Sequence, residues 1–149
     1  MVMKMSITNK LKQPFDPSVI SWRVGATSKD KSTGIALAFL NARDVMKRLD
    51  DVCGDNWQVE YPFDGCCRIG IKIGGEWLWR SNGAGETNVE GEKGKFSDAF
   101  KRAAVLWGVG RYLYYLDNSW VKIKPQGKSY VLAERPNLPK WAYPKKDDK

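Results

Sequence analysis

The chain of 149 residues contains no histidine. That absence removes the Ser-His-Asp and Cys-His arrangements, imidazole-ligated metal sites and the commonest general base. Cysteine is scarce as well. Cys53, Cys66 and Cys67 are odd in number and two are adjacent, so they read as reduced structural thiols. No metal site and no cofactor is expected. No apolar run approaches the roughly 20 residues that span a bilayer, and the opening Met1-Val-Met-Lys-Met-Ser6 has no apolar core of a secretion signal. The expectation is a cytoplasmic protein without membrane contact. Gly25-Ala-Thr-Ser-Lys-Asp-Lys-Ser-Thr33 lacks the second glycine before the lysine that a phosphate-cradling ATP loop requires, which disfavours an ATP-driven activity.

What is present is a hydrophobic content of 42% and a net charge of +8. The first figure suits one domain of ordinary size with a real core. The second favours attraction to polyanions. Its placement is uneven: cations outnumber anions eight to three over 121–149, against nine to seven over 1–60 and eight to seven over 61–120. A specific site must therefore be argued from position rather than from the total.

Along the chain, Ser18 to Val24 alternates and reads as a short strand, with Ile20, Trp22 and Val24 on one face and Ser21 and Arg23 on the other. A polar turn with Lys29 and Lys31 leads to a buried strand, Gly34 to Leu40. Asn41, with Asp44 three residues on, starts a helix over Ala42–Cys53 that Gly54 ends. Trp57 to Ala84 reads as an antiparallel meander. Gly74-Gly75 forms its two-residue hairpin turn, and pairing Ile73 with Glu76 sets Ile71 opposite Leu78, Lys72 opposite Trp77 and Gly70 opposite Trp79. The face with Arg68, Lys72, Trp77 and Trp79 suits packing or a subunit contact ahead of base stacking. Gly83 to Gly94 reads as a mobile loop, Trp120 to Lys124 as an edge strand with Ser129 to Ala133 as its partner, and the proline-spaced end as extended or disordered.

The segment Asp98 to Tyr114 carries the most information. At about 100° per residue, Ala99, Phe100, Ala103, Trp107, Gly110 and Tyr114 fall in one stripe with Phe96, the core side of an amphipathic helix. Lys101 and Arg102 fall opposite, as a solvent face should. Val105, Val109 and Tyr112 fall there too, so a subunit contact or a ligand groove is expected to cover part of that face. Carboxylates at Asp64, Glu76, Glu90 and Glu92 could hold Mg²⁺ for a nuclease, although acids of this number suit any soluble domain.

Ile20-Ser-Trp-Arg23, the polar turn and strand, the helix closing at Cys53-Gly54 with Asn56-Trp57 after it, the meander, and Ser97-Asp-Ala-Phe-Lys-Arg-Ala103 together resemble the Rad52/Rad22 single-strand annealing proteins. Gly108-Val-Gly-Arg-Tyr-Leu-Tyr114 is similar to the continuation in bacterial and phage members. The likeness spans about Ile20 to Leu116. It implies an α+β fold with a β-β-β-α core, an antiparallel β-meander packed on a long helix, assembled into rings with single-stranded DNA in a basic groove. On this resemblance Lys101 and Arg102 match the helix cations that hold the DNA backbone, Arg23 an early-strand arginine lining the groove, and Phe39 an aromatic position near it. A third helix cation of eukaryotic relatives is replaced by Val105, with Lys29, Lys31, Lys93 and Lys95 as compensating candidates. The oligomer contact would fall to Val105, Val109 and Tyr112.

The implied domain is residues 1–134, followed by a proline- and lysine-rich tail over 135–149; without the long C-terminal region of larger relatives, the chain would be a minimal annealing core. The implied activity is ATP-independent binding and annealing of single-stranded DNA in homologous recombination or double-strand break repair, with no bond made or broken by the protein. Implied partners are single-stranded DNA, further copies of the chain in a large homo-oligomer, and a single-strand-binding protein or an exonuclease. The location would be the host cytoplasm if the protein is phage-encoded. A passive single-stranded DNA or RNA binding protein is the second reading and a metal nuclease the third.

Overall fold

The computed structural model describes residues 5–83 and 91–145, with the side chains of 91–93 excepted. It contains three α-helices, α1 (Ile7–Leu11), α2 (Ala42–Cys53) and α3 (Gly91–Leu106), and seven strands: β1 (Ser21–Thr27), β2 (Thr33–Phe39), β3 (Trp57–Glu60), β4 (Cys66–Ile73), β5 (Glu76–Gly83), β6 (Ser119–Gln126) and β7 (Ser129–Leu132). All strand pairings are antiparallel. The chain divides into two interleaved compact units: Met1–Gln13 with Asn41–Arg111, and Pro14–Leu40 with Tyr112–Lys149.

The first unit sets α3 against a three-stranded sheet of order β3-β4-β5. The hairpin register is the one its alternation dictates: Ile73 lies opposite Glu76, Lys72 opposite Trp77, Ile71 opposite Leu78 and Gly70 opposite Trp79. Gly74 and Gly75 have φ of 61° and 83°, the left-handed pair that a two-residue turn needs to follow the strands' twist. The core gathers Ile69 and Ile71 from β4, Phe100, Ala103 and Ala104 from α3, and Leu49 from α2, all buried. Trp107 joins them, and its indole N–H donates to the Ile69 carbonyl at 3.0 Å. At the start of α2 the Asn41 side chain and Asp44 form a reciprocal cap.

All three cysteines are buried and free. Burial pushes the Cys67 thiol up to about 11, with neighbouring Cys66 adding to the shift, so it stays protonated and inert at neutral pH.

Both boundaries of α3 differ from the sequence expectation, and β1 runs Ser21–Thr27 instead of Ser18 to Val24, with Ser18 in a 3-10 turn over Pro17–Val19. Residues 91–94 belong to α3 rather than to a loop; their two glycines cost about 1 kcal/mol each relative to alanine, which a helix anchored by tertiary packing tolerates. At its other end α3 stops at Leu106 and does not continue to Tyr114. Gly108 and Gly110, with φ of 104° and 75°, turn the chain out of the helix, and a 3-10 turn over Arg111–Tyr115 follows. The expected mobile loop falls mostly on residues 84–90, outside the described residues.

The second unit is a four-stranded sheet of order β1-β2-β6-β7. Its strands and the pairing of β6 with β7 were expected, but not the union of that pair with β1 and β2, which makes β6 an inner strand rather than an edge. Ala36, Val121 and Ile123 are buried, as are Phe15, Ile20, Leu40 and Tyr112 of the same unit. The tail, expected to be extended or disordered, has no helix or strand among its described residues 135–145 apart from a 3-10 turn over Lys140–Ala142, where Ala142 has no exposed surface. Residues 135–145 thus fall within this second unit.

Candidate nucleic-acid interface

In an antiparallel sheet, residues directly opposite one another point to the same face, and so do residues two apart along a strand. Arg23 lies opposite Leu37 and Ser21 opposite Phe39. Ile35 lies opposite Trp120 and Thr33 opposite Lys122, and Lys124 lies opposite Val131. Arg23, Phe39, Trp120, Lys122 and Lys124 therefore share one face of the second unit's sheet. The opposite face carries Ala36, Val121 and Ile123, each less than 10% exposed. Alternation along β6 enforces this division, since Val121 and Ile123 point inward and their neighbours must point out.

The positions of the first face are Ser21, Arg23 and Gly25 on β1, Thr33 to Phe39 at odd numbers on β2, Trp120 to Gln126 at even numbers on β6, and Ser129 and Val131 on β7. None is acidic. Arg23, Lys122 and Lys124 are exposed, and no ion pair engages them among the described residues. Glu134 is close, but its carboxylate accepts from the Lys122 backbone N–H at 3.2 Å. Trp120 is 55% exposed, so much of its indole is open to solvent. Of these five, Arg23 and Phe39 were expected at the site; Trp120, Lys122 and Lys124 were not.

Lys29 and Lys31 stand in the exposed β1–β2 connection. The Lys31 ammonium donates to the Thr27 hydroxyl at 2.7 Å. Between them Asp30 organises the turn, accepting from the Ser28 and Ser32 hydroxyls at 2.8 and 2.7 Å and from the Ser32 backbone N–H at 3.1 Å. Those bonds favour the carboxylate and hold Asp30 down to about 2.

In the first unit, Lys101 and Arg102 lie on α3, half-buried and exposed respectively. Arg102 Nε is 3.4 Å from Asp98 Oδ2 one turn earlier. Lys95, on the same helix, meets Asp64 at 2.8 Å; the side chain of Lys93 lies outside the described residues. Other cations here have structural tasks. Arg80 donates to the Leu106 carbonyl at 2.6 Å, and Arg111 donates to the Val105 and Leu106 carbonyls at 3.1 and 2.8 Å, so two guanidiniums close the negative end of α3. Arg80 also stacks on Trp107, 4.2 Å from the ring centre. Arg68 stacks on Trp79 at 4.0 Å and lies 3.4 Å from Glu60 without hydrogen-bond geometry. Trp79 in turn covers Gly70, where a Cβ would meet the ring at 2.8 Å.

The expected outward face of Val105, Val109 and Tyr112 does not exist as one surface. Val109 is 1% and Tyr112 9% exposed within this single chain, and the Tyr112 hydroxyl accepts from the Phe15 backbone N–H at 2.9 Å. The helical projection failed because the helix ends before both residues. Val105 alone, half-buried on α3, keeps part of its side chain at the surface. Of the carboxylates considered for a nuclease, Asp64 is paired with Lys95, Glu76 lies beside the β4–β5 turn, and Glu90 and the Glu92 side chain lie outside the described residues. No group of three or more His, Cys, Asp or Glu able to hold a metal gathers among the described residues.

A family model described as Rad52/22 family double-strand break repair protein matches residues 4–63 and 63–130. The single-stranded DNA-binding protein DdrA of Deinococcus deserti is 36% identical over 148 residues, covering 95% of this chain and 73% of the relative. DdrA of Deinococcus radiodurans is 33% identical over 150 residues, covering 95% of this chain and 70% of that protein. No solved structure matches.

Proposed function

Because the chain belongs to the Rad52/22 family of double-strand break repair proteins, we propose that it binds single-stranded DNA and anneals complementary strands without ATP, in recombination or break repair. The observation that carries this function is the β1-β2-β6 face, on which Arg23 and Phe39 stand among positions that include no carboxylate. Cations there grip sugar and phosphate and release condensed counterions, while the bases remain free to pair with an incoming strand. Sequence recognition is then left to base pairing. Lys101 and Arg102 on α3 are further candidates for backbone contact, as are Lys29, Lys31, Lys93 and Lys95.

Few cations per chain implies weak binding by one copy, so useful affinity requires several copies along one strand. A cytoplasmic homo-oligomer, as a ring, meets that need, with residues 1–134 as the annealing domain and a single-strand-binding protein or an exonuclease presenting the strand. The test is pairing of labelled complementary oligonucleotides in the absence of ATP and divalent metal. Faster pairing than in protein-free solution, together with a particle well above 16.9 kDa by light scattering, is the expected result. Binding without acceleration would assign a passive coating protein, and metal-dependent shortening of the DNA a nuclease.

A further inference from the structure

We propose that Trp120 is a base-stacking platform and that Lys122 and Lys124 continue the phosphate path from Arg23, making the outer face of β6 part of the single-strand site. This inference rests on the single-strand reading above and extends it to three residues outside the helix and early-strand positions.

The case begins with β6 itself. Trp-Val-Lys-Ile-Lys alternates, and Val121 and Ile123 are 7% and 8% exposed, so Trp120, Lys122 and Lys124 form a row on the other side. Residues two apart on a strand are about 6.6 Å apart, which makes the row an evenly spaced line of one ring and two ammonium groups. Pairing of Trp120 with Ile35, and of Arg23 with Leu37, puts the arginine two strands away on the same face. Between them Ile35 and Leu37 are half-buried aliphatic residues, a floor that does not compete for phosphate.

The occupant is selected by charge and by ring chemistry. Three cations with no acid at any sheet position of that face would repel a basic partner and attract a polyanion. An indole 55% exposed beside them offers a π-surface to any base, and a neighbouring line of cations tracks the backbone, the combination by which single strands are held without sequence preference. Duplex DNA presents its bases edge-on within the stack and cannot use the indole face in this way. The same surface thus favours single strands over duplex.

The test uses the full-length chain and two fluorescent probes of equal length, an oligothymidylate and an abasic strand with the same sugar-phosphate backbone, titrated by anisotropy over a range of salt. Trp120→Ala should bind oligothymidylate roughly 5- to 150-fold more weakly, the range for loss of one base–aromatic stack, and the abasic strand unchanged. Trp120→Phe should stay close to wild type on both. Lys122→Ala/Lys124→Ala should weaken both probes and reduce the slope of log affinity against log salt by about 0.7 for each lost contact. Equal affinity of Trp120→Ala and wild type for oligothymidylate, or an equal loss on both probes, would overturn the stacking role. A drop in particle mass for Trp120→Ala by light scattering would instead make Trp120 a contact between copies and also overturn it. Failure of the wild type to bind either probe would be a different result, removing the single-strand function itself.

Discussion

In the unit built on α3, Arg80 and Arg111 close the helix C-terminus, Arg48 donates to the carbonyls of Leu11 and Gln13, Arg68 lies on Trp79, and Lys95 and Arg102 face acids. In the unit built on the four-stranded sheet, Arg23, Lys122 and Lys124 stand on a face that carries no acid. One tryptophan from each unit shows the same contrast. Trp107 is 1% exposed and hydrogen-bonded to β4, whereas Trp120 is 55% exposed. Arg48, Arg80, Arg111 and Trp107 are thus structural in the first unit, whereas Arg23, Lys122, Lys124 and Trp120 are open to a ligand in the second. Net charge therefore overstates the surface open to DNA, and what matters is which cations have no internal task.

The largest expected effect tests the tryptophan half of that contrast. Trp107→Ala should destabilise the protein by about 3–5 kcal/mol, through lost packing and an orphaned Ile69 carbonyl, whereas Trp120→Ala should stay within about 0.5 kcal/mol of wild type. Denaturant unfolding of the two variants checks both figures. Similar losses would erase the distinction.

Next in size is the α3 pair. Lys101→Ala/Arg102→Ala should weaken single-strand binding and lower the salt slope by at most about 1.4, two contacts at about 0.7 each. Asp98 competes for Arg102, so the measured drop should fall short of that ceiling. Retention of wild-type affinity and slope would remove α3 from the interface.

Arg80→Ala is the converse. Loss of a guanidinium from the helix C-terminus should cost about 1 kcal/mol in stability and leave the salt slope of DNA binding unchanged. A fall in slope would mean that Arg80 touches phosphate.

The smallest effect concerns the turn between Lys29 and Lys31. Asp30 is held at about 2, below its unfolded value near 3.9. The order it gives the turn should be complete above about pH 4 and be lost as pH falls through 2. Chemical shifts of the Ser28 and Ser32 amides during acid titration would show this. A midpoint near 4 would mean that the turn is not organised by the carboxylate.

Much of the helix-backed unit was legible in sequence because its signals are local. Alternation about Gly74-Gly75 fixed the β4–β5 register residue by residue, and Asn41, Asp44 and Gly54 marked the ends of α2. The extent of α3 was misread where periodicity ran on past its true end, since Val109 and Tyr112 keep helical spacing although Gly108 and Gly110 have already turned the chain. The other sheet was harder because β2 and β6 are far apart in sequence. Trp120, Lys122 and Lys124 showed the alternation of an edge strand, but only pairing with β2 brings them to the face of Arg23 and Phe39. The cation excess over 121–149 includes Lys122 and Lys124, but it does not show which strand β6 joins.

The most direct measurement is the salt dependence of single-strand binding for Arg23→Ala beside Arg68→Ala, two exchanges of the same charge in the two units. The sheet-face account predicts that Arg23→Ala lowers the slope by about 0.7 per bound chain while Arg68→Ala leaves it at the wild-type value. An unchanged slope for Arg23→Ala, or a larger fall for Arg68→Ala, would contradict it.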